Sequence, residues 1–519
     1  MQKGRFVKNA AIMTASALIL RTVGMFFRVW LADRIGSEGM GLYQLIFSVY
    51  MLAATFATGG ISTAVTRLVA EELEKGTPRS VKQILSRAIG LTLAVGVAST
   101  ALVAVLADPI AAGWIKDPRA AMSLRILSLS LPFMGVSGCL KGYFMGRRKA
   151  MPPSNAQLFE QLVRMAIIFV IIGRFAEKGL AYACAAVLLG DTVSEAASCG
   201  FLWLVYRRDR SRLTGRLGAR PAPPYGVVRK LLSLSLPLVG GRYLTTGLRT
   251  AESLMVPACL AAFAGSREWA VSQYGLFKGM AMPVIFFLSS FLTALSTLLV
   301  PELSSALASG DPRQVQSPVK RSVQLTLTAS VWIGGVFFWF GRDVGLAFYH
   351  SAEVGELVRW LAPLIPWMYL ESVVTGMLNG LDQQKHIFWY NVIDSGLRLA
   401  AIPLLVPRWG MVGFFAVTYA SNLLTSLLCL IRLLKVAKTP FMPFAWLIRP
   451  LLCTVASVTV GAAVAHFCGG LSPIPRLIAE SGACLAVYLP LMMVTGGGQD
   501  ALRWVNAYAV RKRQTKRPA

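Results

Sequence analysis

Apolar runs of about twenty or more residues recur along this chain with only short polar breaks between them, a length that suits bilayer-spanning helices. The runs predict spans near 6–32, 41–67, 84–107, 122–146, 157–174, 179–206, 229–263, 272–300, 320–341, 357–381, 387–406, 411–434, 446–468 and 474–495. The weakest of these fourteen are 157–174 and 320–341. The expected fold is an all-α polytopic membrane protein. Lys3, Arg5 and Lys8 ahead of a short apolar run imitate a secretory leader, but the apolar pattern continues to Ala32 as one long helix, so cleavage is not expected.

Lysine and arginine exceed aspartate and glutamate by 52 to 24. Such an excess could signify nucleic acid, yet the bases sit in short segments between apolar runs and no basic domain stands apart. The distribution fits membrane orientation, and no nucleic-acid partner is expected. With the N-terminus inside, the basic segments around Lys75 and Lys82, Arg147 to Lys149, Arg207 to Lys230, Lys320, Lys435 and Arg511 all fall on the cytoplasmic side. The expectation is a multi-pass protein of the cytoplasmic membrane with both termini cytoplasmic, its basic tail, 502–519, lying on the anionic inner leaflet. Eight cysteines without a C-x-x-C pair read as small buried hydrophobes, three scattered histidines argue against a metal site, and no phosphate-binding G-x-x-x-x-G-K-[ST] loop occurs.

The pattern restarts halfway. At an offset of 234, Arg125 meets Arg359, Pro132 meets Pro366, Gly142 and Gly146 meet Gly376 and Gly380, Glu160 meets Asp394 and Arg164 meets Arg398, all without a gap. The offset is 231 in the second spans, where Tyr43 meets Tyr274, and 221 in the first, where Arg21 and Arg28 meet Arg242 and Arg249. An even number of spans repeated in one direction predicts two six-helix bundles related by a pseudo-two-fold axis along the membrane normal, with substrate bound between the halves. The expected divisions are 1–215 for helices 1–6, 216–440 for helices 7–12, and 441–519 for two extra helices and the tail. The proline-containing basic linker 207–230 joins the halves.

Charges inside spans must face protein or water, because an arginine at mid-bilayer costs roughly 2.5 to 3.5 kcal/mol on insertion scales. Arg21 and Arg28 lie seven residues, or two turns, apart and point the same way, as do Arg242 and Arg249. Arg21, Arg28 and Arg242 have no acid within a turn, and only Arg249 has one, Glu252. Guanidinium groups facing a common cavity would bind the oxygens of an anionic, phosphorylated substrate, with Lys278 adding a further positive group ahead of Pro283. The alternative is that they pair with acids of neighbouring helices or, for Arg28, snorkel toward the surface. Glu160 with Arg164 and Asp394 with Arg398 form i, i+4 pairs expected to neutralise themselves. Asp191 and Glu195 bind a cation or proton, or pair with Lys141 or Arg164. Glu252 tunes Arg249 or accepts a coupling ion.

Three segments carry a family resemblance: Arg21-x-x-Gly24 with Gly39-Met-Gly-Leu-Tyr43, Arg67-Leu-Val-Ala-Glu71, and Gly376-Met-Leu-Asn-Gly380 through Arg398. They resemble the stage V sporulation protein B group, in the polysaccharide transporter branch of the multidrug/oligosaccharidyl-lipid/polysaccharide exporter superfamily. The likeness covers nearly the whole chain as a span pattern, through short motifs. It implies a fourteen-helix flippase that moves an undecaprenyl-linked sugar precursor to the outer leaflet by alternating access. The lipid II flippases of that superfamily use first-span arginines, matching Arg21 and Arg28, and a base and a glutamate five and two residues before the eighth-span proline. Here the base position holds Lys278 and the acid position Ala281, a departure that leaves the glycan open.

The expected function is translocation of a polyprenyl-diphosphate-linked oligosaccharide or peptidoglycan precursor, in spore cortex or cell-envelope synthesis, alongside envelope-synthesis enzymes. Arg21, Arg28, Arg242, Arg249 and Lys278 contact the diphosphate; no catalytic residue, metal or cofactor is expected beyond a coupling sodium ion or proton. The runner-up is a multidrug and toxin exporter, which calls for an acidic, aromatic cavity. A membrane enzyme acting on lipid-linked sugars would need large loops outside the membrane, whereas here none exceeds about twenty residues.

Overall fold

The computed structural model describes residues 2–75, 78–214, 226–309, 312–468 and 470–496. The core of the proline-containing linker, 215–225, and the basic tail therefore lie outside the described residues. Seventeen α-helices follow in order: α1 (Gln2–Thr58), α2 (Ile61–Glu74), α3 (Pro78–Pro109), α4 (Ala120–Ser128), α5 (Leu131–Gly146), α6 (Met151–Ala176), α7 (Leu180–Thr214), α8 (Val227–Ala264), α9 (Arg267–Tyr274), α10 (Met282–Ser309), α11 (Pro312–Trp339), α12 (Gly341–Tyr349), α13 (Ala352–Leu361), α14 (Ile365–Gly380), α15 (Gln384–Ala437), α16 (Arg449–Phe467) and α17 (Pro473–Val494). Among the described residues there is no strand.

Among the described residues eleven helical stretches are long and apolar enough to cross a membrane. Two of them, Ala15–Glu74 and Gln384–Ala437, each hold two of the spans expected from the sequence, and α8 carries the seventh. The paired spans are separated by Gly36 (φ 69°) and Gly410 (φ 58°), whose missing β-carbons let the chain turn without leaving helical hydrogen bonding for long. Prolines mark the duplicated breaks. Pro132 stands at the start of α5 and Pro366 at the start of α14, each just after a short helix has ended.

One expectation is corrected. The run 41–67 is not a continuous helix: α1 stops at Thr58, Gly59 and Gly60 adopt φ of 41° and 66°, and α2 begins afresh at Ile61. Hydropathy is blind to this break because glycine is apolar enough to leave the average untouched.

The chain forms two compact units, Met1–Met280 with Asn391–Thr418 and Ala281–Tyr390 with Tyr419–Ala519. These units interleave along the chain and are cut differently from the duplicated halves of the sequence. In lipid, apolar side chains gain little by leaving the acyl chains, so close backbone approach does much of the packing. In the first unit a β-carbon on Gly142 would lie 2.6 Å from the Ser62 carbonyl oxygen and one on Gly146 2.7 Å from that of Thr66. α2 and α5 therefore meet backbone to backbone. Around that contact Val65, Val69, Leu85, Leu140, Tyr143 and Phe144 are buried. Asp209 on α7 closes this end by accepting from Tyr143 Oη at 3.0 Å, Lys149 Nζ at 2.5 Å and Arg147.

In the second unit Tyr369 of α14 donates to the Ile285 carbonyl of α10. The last two spans pack on α11 and α12: Tyr488 Oη donates to the Thr328 carbonyl at 2.8 Å, and the Arg476 guanidinium reaches Glu480 at 2.9 Å and Asp343 at 3.6 Å.

Candidate functional site

All twelve candidate side chains belong to the first unit. Six of them, with one tyrosine, make two similar clamps. α6 presents Glu160 and Arg164 one turn apart; Arg164 Nη2 lies 2.9 Å from Glu160 Oε1 and Nε lies 2.8 Å from Asp191 Oδ1 on α7. Tyr43 Oη donates to the other Asp191 oxygen at 3.3 Å. Of its two sequence-derived partners Asp191 thus takes Arg164, while Lys141 lies in electrostatic range of Glu195. Glu195 Oε1 is buried without a hydrogen-bond partner. In the repeat, Arg398 Nη1 lies 3.0 Å from Glu252 Oε1 and Nε lies 3.2 Å from Asp394 Oδ2.

The second clamp decides where Glu252 points. Sequence proximity paired it with Arg249, but its carboxylate sits in the Arg398 fork. Each central guanidinium therefore bridges an acid on its own helix and an acid on another, and removing one partner of such a low-exposure pair costs about 3 to 5 kcal/mol where burial is complete.

The remaining bases are arranged differently. Arg21 and Arg28 on α1, Arg242 and Arg249 on α8, and Lys278 are all solvent-accessible. Among the described residues no carboxylate lies within ion-pair distance of Arg28, Arg242, Arg249 or Lys278. Lys278 is carried by a wide helical turn, Gly275–Ala281. Pro283, near the start of α10, has no amide proton to close a normal turn, and the chain opens ahead of it. The flanks of this turn are pressed against α1: a β-carbon on Gly275 would collide with the Ser37 carbonyl, and one on Gly279 would come within 2.9 Å of Met40. Lys278 stays accessible in spite of that packing and feels the charges of Glu252, Arg398, Arg249 and Arg28. Arg28, Arg249 and Lys278 thus share one field. Of the twelve candidates seven are basic and five acidic, so the site holds a positive excess after its clamps are satisfied.

Polar residues from segments far apart in the chain tie one end of the unit together. Arg119 Nη2 lies 2.8 Å from Asp117 and 2.6 Å from Glu38, and these hydrogen bonds hold its guanidinium above the ordinary arginine range. Arg267 donates to the Ile115 carbonyl, and the Ser37 and Ser272 hydroxyls share a 2.7 Å hydrogen bond. Asp117 and Arg119 are neighbours in one loop, but no local sequence pattern ties Arg119 to Glu38 or Ser37 to Ser272, which lie far apart along the chain.

Kinked and broken helices, duplicated arginine clamps and accessible intramembrane bases define a polytopic membrane protein built by internal repetition. The chain belongs to the polysaccharide biosynthesis protein family, which matches residues 6–307. The MatE family matches residues 252–404. Among curated relatives it is 26% identical to stage V sporulation protein B of Bacillus subtilis over 493 residues, covering 94% of this chain and 93% of that one. It is 21% identical to the lipid II flippase MurJ of Bacillus subtilis over 453 residues, 81% of each. Among solved structures, a lipid II flippase MurJ in an inward closed conformation superposes with a TM-score of 0.69 at 12% identity, over 93% of this chain and 98% of that one. That last likeness establishes the fold.

Proposed function

We propose that the protein is a flippase that carries a polyprenyl-diphosphate-linked oligosaccharide or peptidoglycan precursor across the cytoplasmic membrane by alternating access, with both termini in the cytoplasm. The observation that carries this reading is the contrast within one compact unit: Arg164 and Arg398 are consumed by acids, whereas Arg28, Arg242, Arg249 and Lys278 are left accessible and without a carboxylate among the described residues. Accessible bases in a site of positive excess suit a diphosphate, whose oxygens accept the arginine fork in a bidentate way. The polyprenyl tail would remain in the bilayer while the headgroup passes.

The names of the relatives support the cargo class, and that of stage V sporulation protein B supports a role in spore or envelope polysaccharide assembly beside the enzymes that supply the lipid-linked sugar. The protein would act as a carrier and not as an enzyme. If a sodium ion or proton drives it, Glu195 is the acid best placed to take it, since Glu160, Asp191, Glu252 and Asp394 are engaged by arginines.

The MatE match favours a second reading, export of cationic drugs. Open bases would repel such a cargo. The test is reconstitution in liposomes with fluorescent undecaprenyl-diphosphate sugar on one leaflet: Arg28→Gln and Arg249→Gln should slow its movement, and unimpaired flipping by both would refute the assigned roles.

A further inference from the structure

The broken second span has a use that the diphosphate cluster leaves unassigned. A cavity of about 170 Å³ opens beside Gly60, lined also by Thr55, Thr58, Met51, Met134 and Arg242. It is large enough for several waters or one phosphate group. Among the described residues Arg242 is the only ionisable group in its wall, no acid lines it, and no carboxylate pairs with that guanidinium. A lone positive charge beside a recess without acids favours an anion.

The backbone adds to the same preference. Gly60, in the cavity wall, is the residue from which α2 starts, and no side chain caps that helix. The amides of Thr63 and Ala64 close back on the Gly60 carbonyl, which leaves those of Ile61 and Ser62 outside the ladder. The start of a half-helix inside a membrane carries partial positive charge. The two threonine hydroxyls donate to their own helix, Thr55 to the Met51 carbonyl at 2.7 Å and Thr58 to that of Ala54 at 2.8 Å, so the guanidinium is the donor that the cavity wall offers a ligand.

We infer that this cavity is a second phosphate site, distinct from the Arg28, Arg249 and Lys278 cluster, in which the diphosphate of the lipid-linked substrate rests before handover. The inference depends on the flippase reading for its cargo. Arg242 lies seven residues from Arg249 on α8, about 10 Å along the axis. A headgroup can therefore move from one site to the next while one guanidinium still holds it.

The test is calorimetric titration of the full-length protein in nanodiscs with inorganic pyrophosphate, followed by competition with undecaprenyl diphosphate and, as a control, undecaprenol. Two pyrophosphates should bind per chain. Arg242→Gln should remove one, and Met134→Trp, which fills the cavity without touching a charge, should weaken that same site by at least tenfold and spare the other. Arg249→Gln should remove the opposite one. Undecaprenyl diphosphate should displace both and undecaprenol neither. A single site untouched by Arg242→Gln and Met134→Trp but lost in Arg249→Gln overturns the inference and leaves the flippase reading standing. Pyrophosphate retained in the cavity under excess undecaprenyl diphosphate assigns a soluble anion there and overturns the handover. No binding of either ligand by the wild-type protein sinks both.

Discussion

Replacing Arg398 and Arg249 by glutamine, one at a time, should damage the protein in opposite ways although the two arginines lie in one field. Arg398 holds Glu252 at 3.0 Å and Asp394 at 3.2 Å, with side-chain exposures of 20%, 20% and 15% for the three residues. Its loss removes the guanidinium that both carboxylates share. Breaking a fully buried pair costs about 3 to 5 kcal/mol, and the residual water access here reduces that to about 2 to 3 kcal/mol. Arg249 has no carboxylate to strand, so Arg249→Gln should change stability by no more than about 0.5 kcal/mol. It should instead remove a charge-assisted bond to phosphate, about 1.5 to 3 kcal/mol, which is roughly a tenfold to hundredfold loss in transport. Thermal unfolding in detergent followed by tryptophan fluorescence separates stability from flipping rate in liposomes. Adding Glu252→Gln and Asp394→Asn to Arg398→Gln should restore most of the stability by removing the stranded charges. Equal destabilisation by the two single variants, or an Arg398→Gln protein as stable as wild type, would refute this division of labour.

Three further outcomes follow from the same geometry. Tyr43→Phe removes a long 3.3 Å bond to Asp191 that Arg164 backs up, so unfolding should shift by about 1 kcal/mol or less, against a much larger loss in Arg164→Gln. Ser37→Cys with Ser272→Cys should form a disulfide under mild oxidation, since the two hydroxyls lie 2.7 Å apart, and should stop transport until a reductant is added. Gly275→Leu places a side chain on the Ser37 carbonyl; the same cysteine pair introduced beside it should no longer cross-link.

Much of this was legible in the sequence because a bilayer imposes a length and an apolar composition on every crossing segment. The fourteen apolar runs fall on helix, with short turns interrupting 41–67 and 122–146, and the proline-marked breaks of α5 and α14 occur where the duplicated register placed Pro132 and Pro366. The i, i+4 pairs were readable for a similar reason: Glu160 with Arg164 and Asp394 with Arg398 are neighbours on one helix face whatever the tertiary fold. The chain order named Arg164 as one of two bases for Asp191 without choosing between them, and it placed Glu252 with the wrong arginine, since choosing between Arg249 and Arg398 requires knowing how α8 and α15 approach. The break at Gly59 and Gly60 had a local sign, a glycine pair, which an averaged hydropathy hides. The pairing of Arg119 with Glu38 had none.

The most direct measurement is side-by-side transport in liposomes of defined orientation, using a fluorescent undecaprenyl-diphosphate sugar and a cationic dye of the kind multidrug exporters carry. The lipid-linked sugar should cross at a rate that falls in Arg28→Gln, Arg249→Gln and Lys278→Gln, while the dye stays where it was loaded. Dye movement at a rate indifferent to those three substitutions, with the sugar left on its original leaflet, would contradict the account.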